Sequence, residues 1–187
     1  MTGAMDVFWR EGYQEASLPA LLEGMGITRG SLYKAFSDKK TLFLTILEHY
    51  EKSAVEPAVA LLSDPETPDG MQRIEMLLDK VIEQVKQGDR RGCLLCTAAA
   101  GAASDDADIA HAVAESLGKM QRGFAVALAA SPVHATRPDA ERHAFSDALI
   151  TQYTGLRILA RSRASIEILE RSASAILQLL RTPPPIG

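Results

Sequence analysis

Apolar residues recur every three or four positions along most of the chain. Ile74, Leu77, Leu78, Val81, Ile82 and Val85 make one such stripe. Ile109, Val113, Leu117, Met120, Phe124 and Leu128 make a second, and Ile166, Leu169, Ala173, Ile176, Leu177 and Leu180 a third. That spacing places each set on one helix face. Runs of five or more residues with strict apolar–polar alternation, the signature of a half-buried strand, are hard to find. The pattern predicts an all-α fold. Breakers divide it: Gly12, Gly24 with Gly26, Pro65 with Pro68, Gly88 with Gly92, Pro132 with Pro138, and Pro183–Pro185. The predicted helices end near Glu11 for the first, then cover about 18–24, 28–36, 39–62, 69–87, 93–103, 106–130, 138–161 and 164–181. The tail Thr182–Gly187 is expected to fray.

The first three helices are short and bury little alone. They are expected to form one unit packed on the start of the fourth, giving a domain over residues 1–45 and a larger helical domain over 46–187. Charge changes this picture only locally. The 187 residues carry a net charge of −4, which excludes a globally basic nucleic-acid-binding surface. Between Thr28 and Lys40, however, Arg29, Lys34, Lys39 and Lys40 face a single acid, Asp38. A phosphate backbone would bind there. No apolar stretch approaches the roughly 20 residues of a membrane span, and Met1–Phe8 does not read as a signal peptide. Two cysteines are too few for a disulfide framework. The expected location is therefore cytoplasmic, with no membrane contact.

Local chemistry within Gly12–Leu42 reads as a helix-turn-helix. Ser17 is placed to cap a helix with Pro19 in its first turn. Gly24-Met25-Gly26 supplies the tight exit, and Ile27 packs the turn. Thr28 caps a second short helix. Its exposed face would be Thr28, Arg29, Gly30, Ser31, Tyr33 and Lys34, and its buried face Leu32 and Phe36. The gap of three to four residues suits the motif.

These residues resemble the DNA-binding domain of TetR/AcrR-type transcriptional repressors. The resemblance rests on Phe8, Gly12-Tyr13, Ser17, Gly26-Ile27, Gly30-Ser31-Leu32-Tyr33, Phe36, Lys39 and Leu42. It covers about the first 45 residues. A weaker likeness at Arg91–Leu95 looks like the start of the sixth helix in one subgroup. The resemblance implies that residues 28–36 enter the major groove. Thr28, Arg29 and Lys34 would lie at base edges or flanking phosphates, with Arg29 the candidate for a bidentate guanine contact, and Ser31 would belong to the same DNA-binding set. Gly30 would permit close approach, and Ser17, Tyr33 and Lys39 would bind phosphates. Ala16 stands where the family often has threonine, and the first helix begins about ten residues later than is usual there. The resemblance also implies a homodimer on a palindromic double-stranded DNA operator, released by a small-molecule effector, with no enzymatic activity, cofactor or metal.

For the larger domain, the resemblance implies a four-helix dimer interface, for which the apolar stripes offer Phe145, Leu149, Leu156, Ile166, Leu169, Ile176 and Leu180. Candidate effector contacts are Met71, Met76, Cys93, Cys96, Met120, Phe124 and Tyr153, since methionine adapts to varied ligands. Cys93 and Cys96 share a helix face just after Arg90 and Arg91. Cations and a helix N-terminus lower a thiol pKa, so a redox- or electrophile-sensing regulator is the alternative reading. A thiol oxidoreductase is weaker, because the βαβ context of such a motif is missing. A zinc site lacks a second pair: His111, His134 and His143 have no matching spacing. Ser31-x-x-Lys34 matches a serine-acylase pattern without its partner motifs. A helical module that binds protein through the helix-turn-helix is a third class, separable from DNA binding by salt dependence.

Overall fold

A computed structural model of the chain describes residues 1–101 and 105–182, and among these every regular element is helical. In order they are α1 (Thr2–Glu15), α2 (Leu18–Met25), α3 (Arg29–Ala35), α4 (Lys39–Tyr50), a π-helical segment (Glu51–Val55), α5 (Glu56–Leu62), α6 (Gly70–Lys86), α7 (Leu94–Ala100), α8 (Ala107–Ala129), α9 (Asp139–Arg161) and α10 (Ile166–Arg181). The long fourth helix expected from the sequence is thus interrupted by one π segment. Residues 102–103, given above to the sixth predicted helix, and residues 183–187 of the tail lie outside the described residues.

The chain forms two compact units that are not sequential. One holds Met1–Val55 with Cys93–Ser116, the other Glu56–Gly92 with Leu117 onward.

In the first unit, α1 and α4 supply most of the core. Phe8 packs on Phe43 with ring centroids 4.7 Å apart, Tyr13 on Phe43 at 4.9 Å, and Trp9 edge-on to Tyr50 at 5.3 Å. α2 and α3 each bury one side chain, Leu21 and Leu32. Helices that bury so little need a neighbour, and α2 packs along α1. Gly12 breaks the helical path of α1 with φ 81°, at the end that its sequence predicts. Gly24 has a different task from the turn exit suggested above. A Cβ there would stand 2.9 Å from the Gly3 carbonyl oxygen, and one on Gly3 only 1.7 Å from that of Gly24. The two glycines let α1 and α2 touch main chain to main chain. Gly26 alone makes the turn, at φ 65° and ψ 33°. Ala16 is buried, so its side chain is a packing group.

In the second unit the full predicted stripe of α6, Ile74 to Val85, is buried. It packs against α10 and α9. Gly70 meets Ala127 of α8 through the backbone, where a Cβ would come within 1.6 Å of the carbonyl oxygen. Arg73 is buried and satisfied by carbonyls: Nε donates to Thr67 at 2.6 Å and Nη1 to Leu62 at 3.3 Å.

One expectation is corrected here. Leu149, Leu156, Leu169 and Leu180, read above as dimer contacts, are at most 1% exposed. They fill the protomer's own core. Phe145, Ile166 and Ile176 are half-buried. What α9 and α10 leave outside is another stripe: Ala148, Thr151, Ile158 and Leu159 on α9, and Ile168, Ala175 and Leu179 on α10. Ile158 and Leu179 are 53% and 67% exposed. Gln152 ties the two helices, its Nε2 donating to the Ser172 hydroxyl at 2.6 Å.

Candidate nucleic-acid interface

The helix-turn-helix is built by its caps. The Ser17 hydroxyl accepts from the Ala20 N–H at 3.2 Å, Thr28 from the Ser31 N–H at 3.2 Å, and Asp38 from the Thr41 N–H at 2.7 Å. Each satisfies an N–H that the first turn leaves without a partner. Hydrogen bonds from the Thr41 backbone and side chain hold the Asp38 carboxyl below the usual carboxylate range. Thr28 and Ser31 also share a hydroxyl–hydroxyl bond of 3.0 Å. The two hydroxyls therefore have local structural work, and each keeps capacity for a further partner.

The exposed face of α3 is the one expected. Thr28, Arg29, Gly30, Ser31, Tyr33 and Lys34 are all exposed, and Leu32 is buried. Phe36, assigned to the buried face, is half-buried and caps the C-terminus of α3. The Arg29 guanidinium lies 5.8 Å from the Tyr33 ring centroid. A planar cation against a ring is held near one orientation at low entropic cost. A Cβ on Gly30 would meet nothing closer than the Thr28 hydroxyl at 4.0 Å. Nothing within the protomer requires glycine there.

The cations are not equivalent. Arg29 and Lys34 project from α3. Lys39 turns inward: its ammonium donates to the Gln14 carbonyl at 2.9 Å and sits 5.1 Å from the Tyr13 ring centroid. Burial pushes its pKa below the usual lysine value. One of its three N–H donors is thus engaged, leaving two. Lys40 pairs with Asp106 at 2.9 Å and Asp108 at 2.6 Å. The local excess of positive charge counted along the sequence is therefore smaller in space. Asp106 and Asp108 lie more than sixty residues away in the chain, and no local pattern announces them.

The candidate effector residues are divided between the two units. Cys93 and Cys96 belong to the first unit, and Met71, Met76, Met120, Phe124 and Tyr153 to the second. Met71, Met120 and Phe124 are buried. Phe124 meets the half-buried Tyr153 edge-on at 6.1 Å. Met76 is exposed and lines an open groove of about 620 Å³ between α6 and α10, with Asp79, Glu83 and Leu177. Sequence reasoning missed that groove, because its charged walls look like ordinary solvated helix faces.

Cys93 is buried and precedes α7. Its sulfur accepts from the Tyr50 hydroxyl at 3.6 Å. Cys96 is half-buried. The arginines invoked above as activators are engaged elsewhere. Arg91 binds Asp89 at 2.8 Å, and Arg90 donates to the Ala164 carbonyl at 2.9 Å. No helix among the described residues is long and apolar enough to cross a membrane.

Comparison with known proteins bears on the same stretch. Residues 1–46 match the family described as bacterial regulatory proteins, tetR family. The chain is 40% identical over 47 residues to the HTH-type transcriptional repressor ComR of Escherichia coli K12, covering 25% of this chain and 22% of ComR. It is 27% identical over 95 residues to the HTH-type transcriptional repressor BdcR of the same organism, covering 51% of this chain and 48% of BdcR. The chain thus spans less than half the length of either curated repressor. A solved structure covers far more: the TetR family regulator CifR, a cysteine mutant bound to 26-bp double-strand operator DNA, superposes with a TM-score of 0.83 at 28% identity, over 95% of this chain and 93% of that one.

Proposed function

We propose, from the match of residues 1–46 to the tetR family of bacterial regulatory proteins, that this chain is a ligand-responsive transcriptional repressor. It acts as a homodimer on a palindromic operator and is released by a small-molecule effector. Residues 1–45 read the DNA, and residues 46–187 bind the effector and hold the dimer. The observation that carries this reading is the outer face of α3 and its cap, where six of the seven positions from Thr28 to Lys34 are exposed. The glycine among them has no reason within the protomer to be glycine. Arg29 reads a base, Thr28, Ser31 and Lys34 lie beside it, and Ser17, Tyr33 and Lys39 fix the register on phosphates. The dimer forms through the outer stripe Ala148, Thr151, Ile158, Leu159, Ile168, Ala175 and Leu179. Its small residues let helices approach closely while its apolar ones seal the contact.

Selection of binding sites from a random DNA library, with the purified protein at moderate salt, tests this directly. The expected result is an enriched palindrome. Absence of any enriched sequence overturns the reading. Arg29→Ala is expected to weaken binding and relax preference at one position in each half-site, costing about 1–3 kcal/mol there. An unchanged preferred sequence removes Arg29 from base contact. Tyr33→Ala weakens all sequences alike.

A second reading, sensing through thiols, is favoured by the Tyr50–Cys93 hydrogen bond, since a donor aimed at sulfur stabilises the thiolate. Maleimide treatment at neutral pH is then expected to modify the native protein and abolish DNA binding. No modification, or modification with binding intact, rejects it.

A further inference from the structure

Lys40 is the second residue of α4 and sits in the first turn beside Lys39. Its ammonium is clamped by two carboxylates of one short segment, Asp106 at 2.9 Å and Asp108 at 2.6 Å. All three residues belong to the first compact unit. The segment is held independently of the lysine. The Asp106 carboxylate accepts the backbone N–H of Asp108 at 3.0 Å and of Ile109 at 3.3 Å, and its carbonyl accepts from Ala110 at 2.9 Å. The start of α8 therefore presents one preset carboxylate, that of Asp106, with the exposed Asp108 carboxylate beside it. The pair is not sealed from water: the Lys40 side chain is 34% exposed and that of Asp108 68%. An ammonium between two carboxylate oxygens has the surroundings it would have against the two anionic oxygens of a phosphodiester. Because the clamp is open to solvent, its strength is modest and a phosphate is able to compete.

We infer that Lys40 is a DNA-phosphate ligand held in reserve, and that Asp106 and Asp108 are an internal mimic of the DNA backbone competing for its ammonium. The inference rests on the DNA-binding reading above. Its consequence is an autoinhibitory contact. With the acids in place, transferring Lys40 to a phosphate exchanges one anionic partner for another. The transfer therefore gains little, Lys40 stays on the aspartates, and no cation is displaced from the DNA on its account. Without them, the same phosphate contact releases a cation and adds about 0.9 to the slope of log K against log salt.

The test is a double-mutant cycle on the selected operator across a salt series. Asp106→Asn with Asp108→Asn removes both charges, and asparagine caps a helix about as well as aspartate, so the start of α8 is preserved. The expected result is tighter binding at low salt, by up to about fivefold per protomer, with a slope steeper by about 0.9 per protomer. Lys40→Gln in the parent leaves the slope almost unchanged. In the double-Asn background the same substitution returns the slope to the parent value. An identical slope in parent and double-Asn protein overturns the inference. So does a steeper slope that Lys40→Gln fails to reverse, because the acids then act only as general repulsion. If the parent binds no DNA at any salt concentration, the regulator reading itself has failed and this inference falls with it. Matching thermal unfolding of the variants separates these outcomes from a folding defect.

Discussion

Gly30 and His134 show how single side chains divide between folding and use. A methyl group at Gly30 meets open space in the protomer, and glycine is a poor helix former. Gly30→Ala is therefore expected to stabilise the protein, by up to about 1 kcal/mol in thermal unfolding, while weakening operator binding. Weaker binding with unchanged or raised stability would show that the glycine serves an outside surface; unchanged binding removes it from the DNA contact. His134 is the converse. It is fully buried, its Nε2 lies 2.8 Å from the Leu180 carbonyl, and its Nδ1 has no partner among the described residues. Because Nε2 faces a carbonyl, it carries the proton. Burial, with the Arg137 charge assisting, holds the imidazole below its ordinary pKa against the opposing Leu180 hydrogen bond. The unfolded chain then takes up a proton before the native one does, so stability is present above the unfolded value near 6.5 and is lost as pH falls below it. His134→Gln is expected to flatten the decline of stability between about pH 7 and pH 5. A decline of equal steepness in the variant would assign it to other groups.

Among the helices, sequence reading succeeded wherever the cause is local. Ser17, Thr28 and the left-handed Gly26 lie within a few residues of what they cap or turn, so their roles are legible from the neighbours alone. It failed where the cause is distant or is a matter of facing. Leu156 and Ile158 are two residues apart on α9, yet one is 1% and the other 53% exposed. Size does not separate the two faces: Leu149, Leu156, Leu169 and Leu180 are buried, and the equally large Ile158, Leu159, Ile168 and Leu179 are exposed. Periodicity also slips once: the buried positions Ile46 and Tyr50 are followed by Val55, a step of five, where the helix widens into its π segment. The Ser53 hydroxyl there donates to the His49 carbonyl at 2.9 Å. The two faces of α9 make separate predictions. Leu156→Ala is expected to cost about 2–5 kcal/mol of stability. Ile158→Asp is expected to leave unfolding nearly unchanged and to shift the protein from dimer to monomer in sedimentation. A dimeric Ile158→Asp protein would place the interface elsewhere.

With both compact units considered together, the protein is acidic, at −4, and meets its proposed polyanion through a small set of cations. Lys39 is turned toward Gln14 and Lys40 toward two aspartates, so Arg29 and Lys34 dominate first encounter. On the proposed reading, few phosphate contacts per protomer would make dimerisation the main source of affinity, because two half-sites would then be engaged by one particle. The monomeric Ile158→Asp protein is accordingly expected to lose most operator affinity at low protein concentration and to regain part of it as concentration rises. A variant that binds the palindrome as tightly as the parent would show that one helix-turn-helix suffices.

The main-chain contact between Gly3 and Gly24 has a consequence for how this sequence tolerates change. Most contacts in a core are made by side chains, and a neighbour of different size can compensate for a substitution. Two backbones in contact have no such slack. Even the smallest replacement at Gly3 would need the helices to part, whatever happens around them. In a library of all single substitutions scored for folded protein, Gly3 is expected to reject even alanine. Gly30 in the same unit is expected to accept many residues. Screened instead for operator binding, both positions should be intolerant. Comparing the two screens would separate the glycines kept for the fold from those kept for the DNA, in a chain whose residue types alone do not tell them apart.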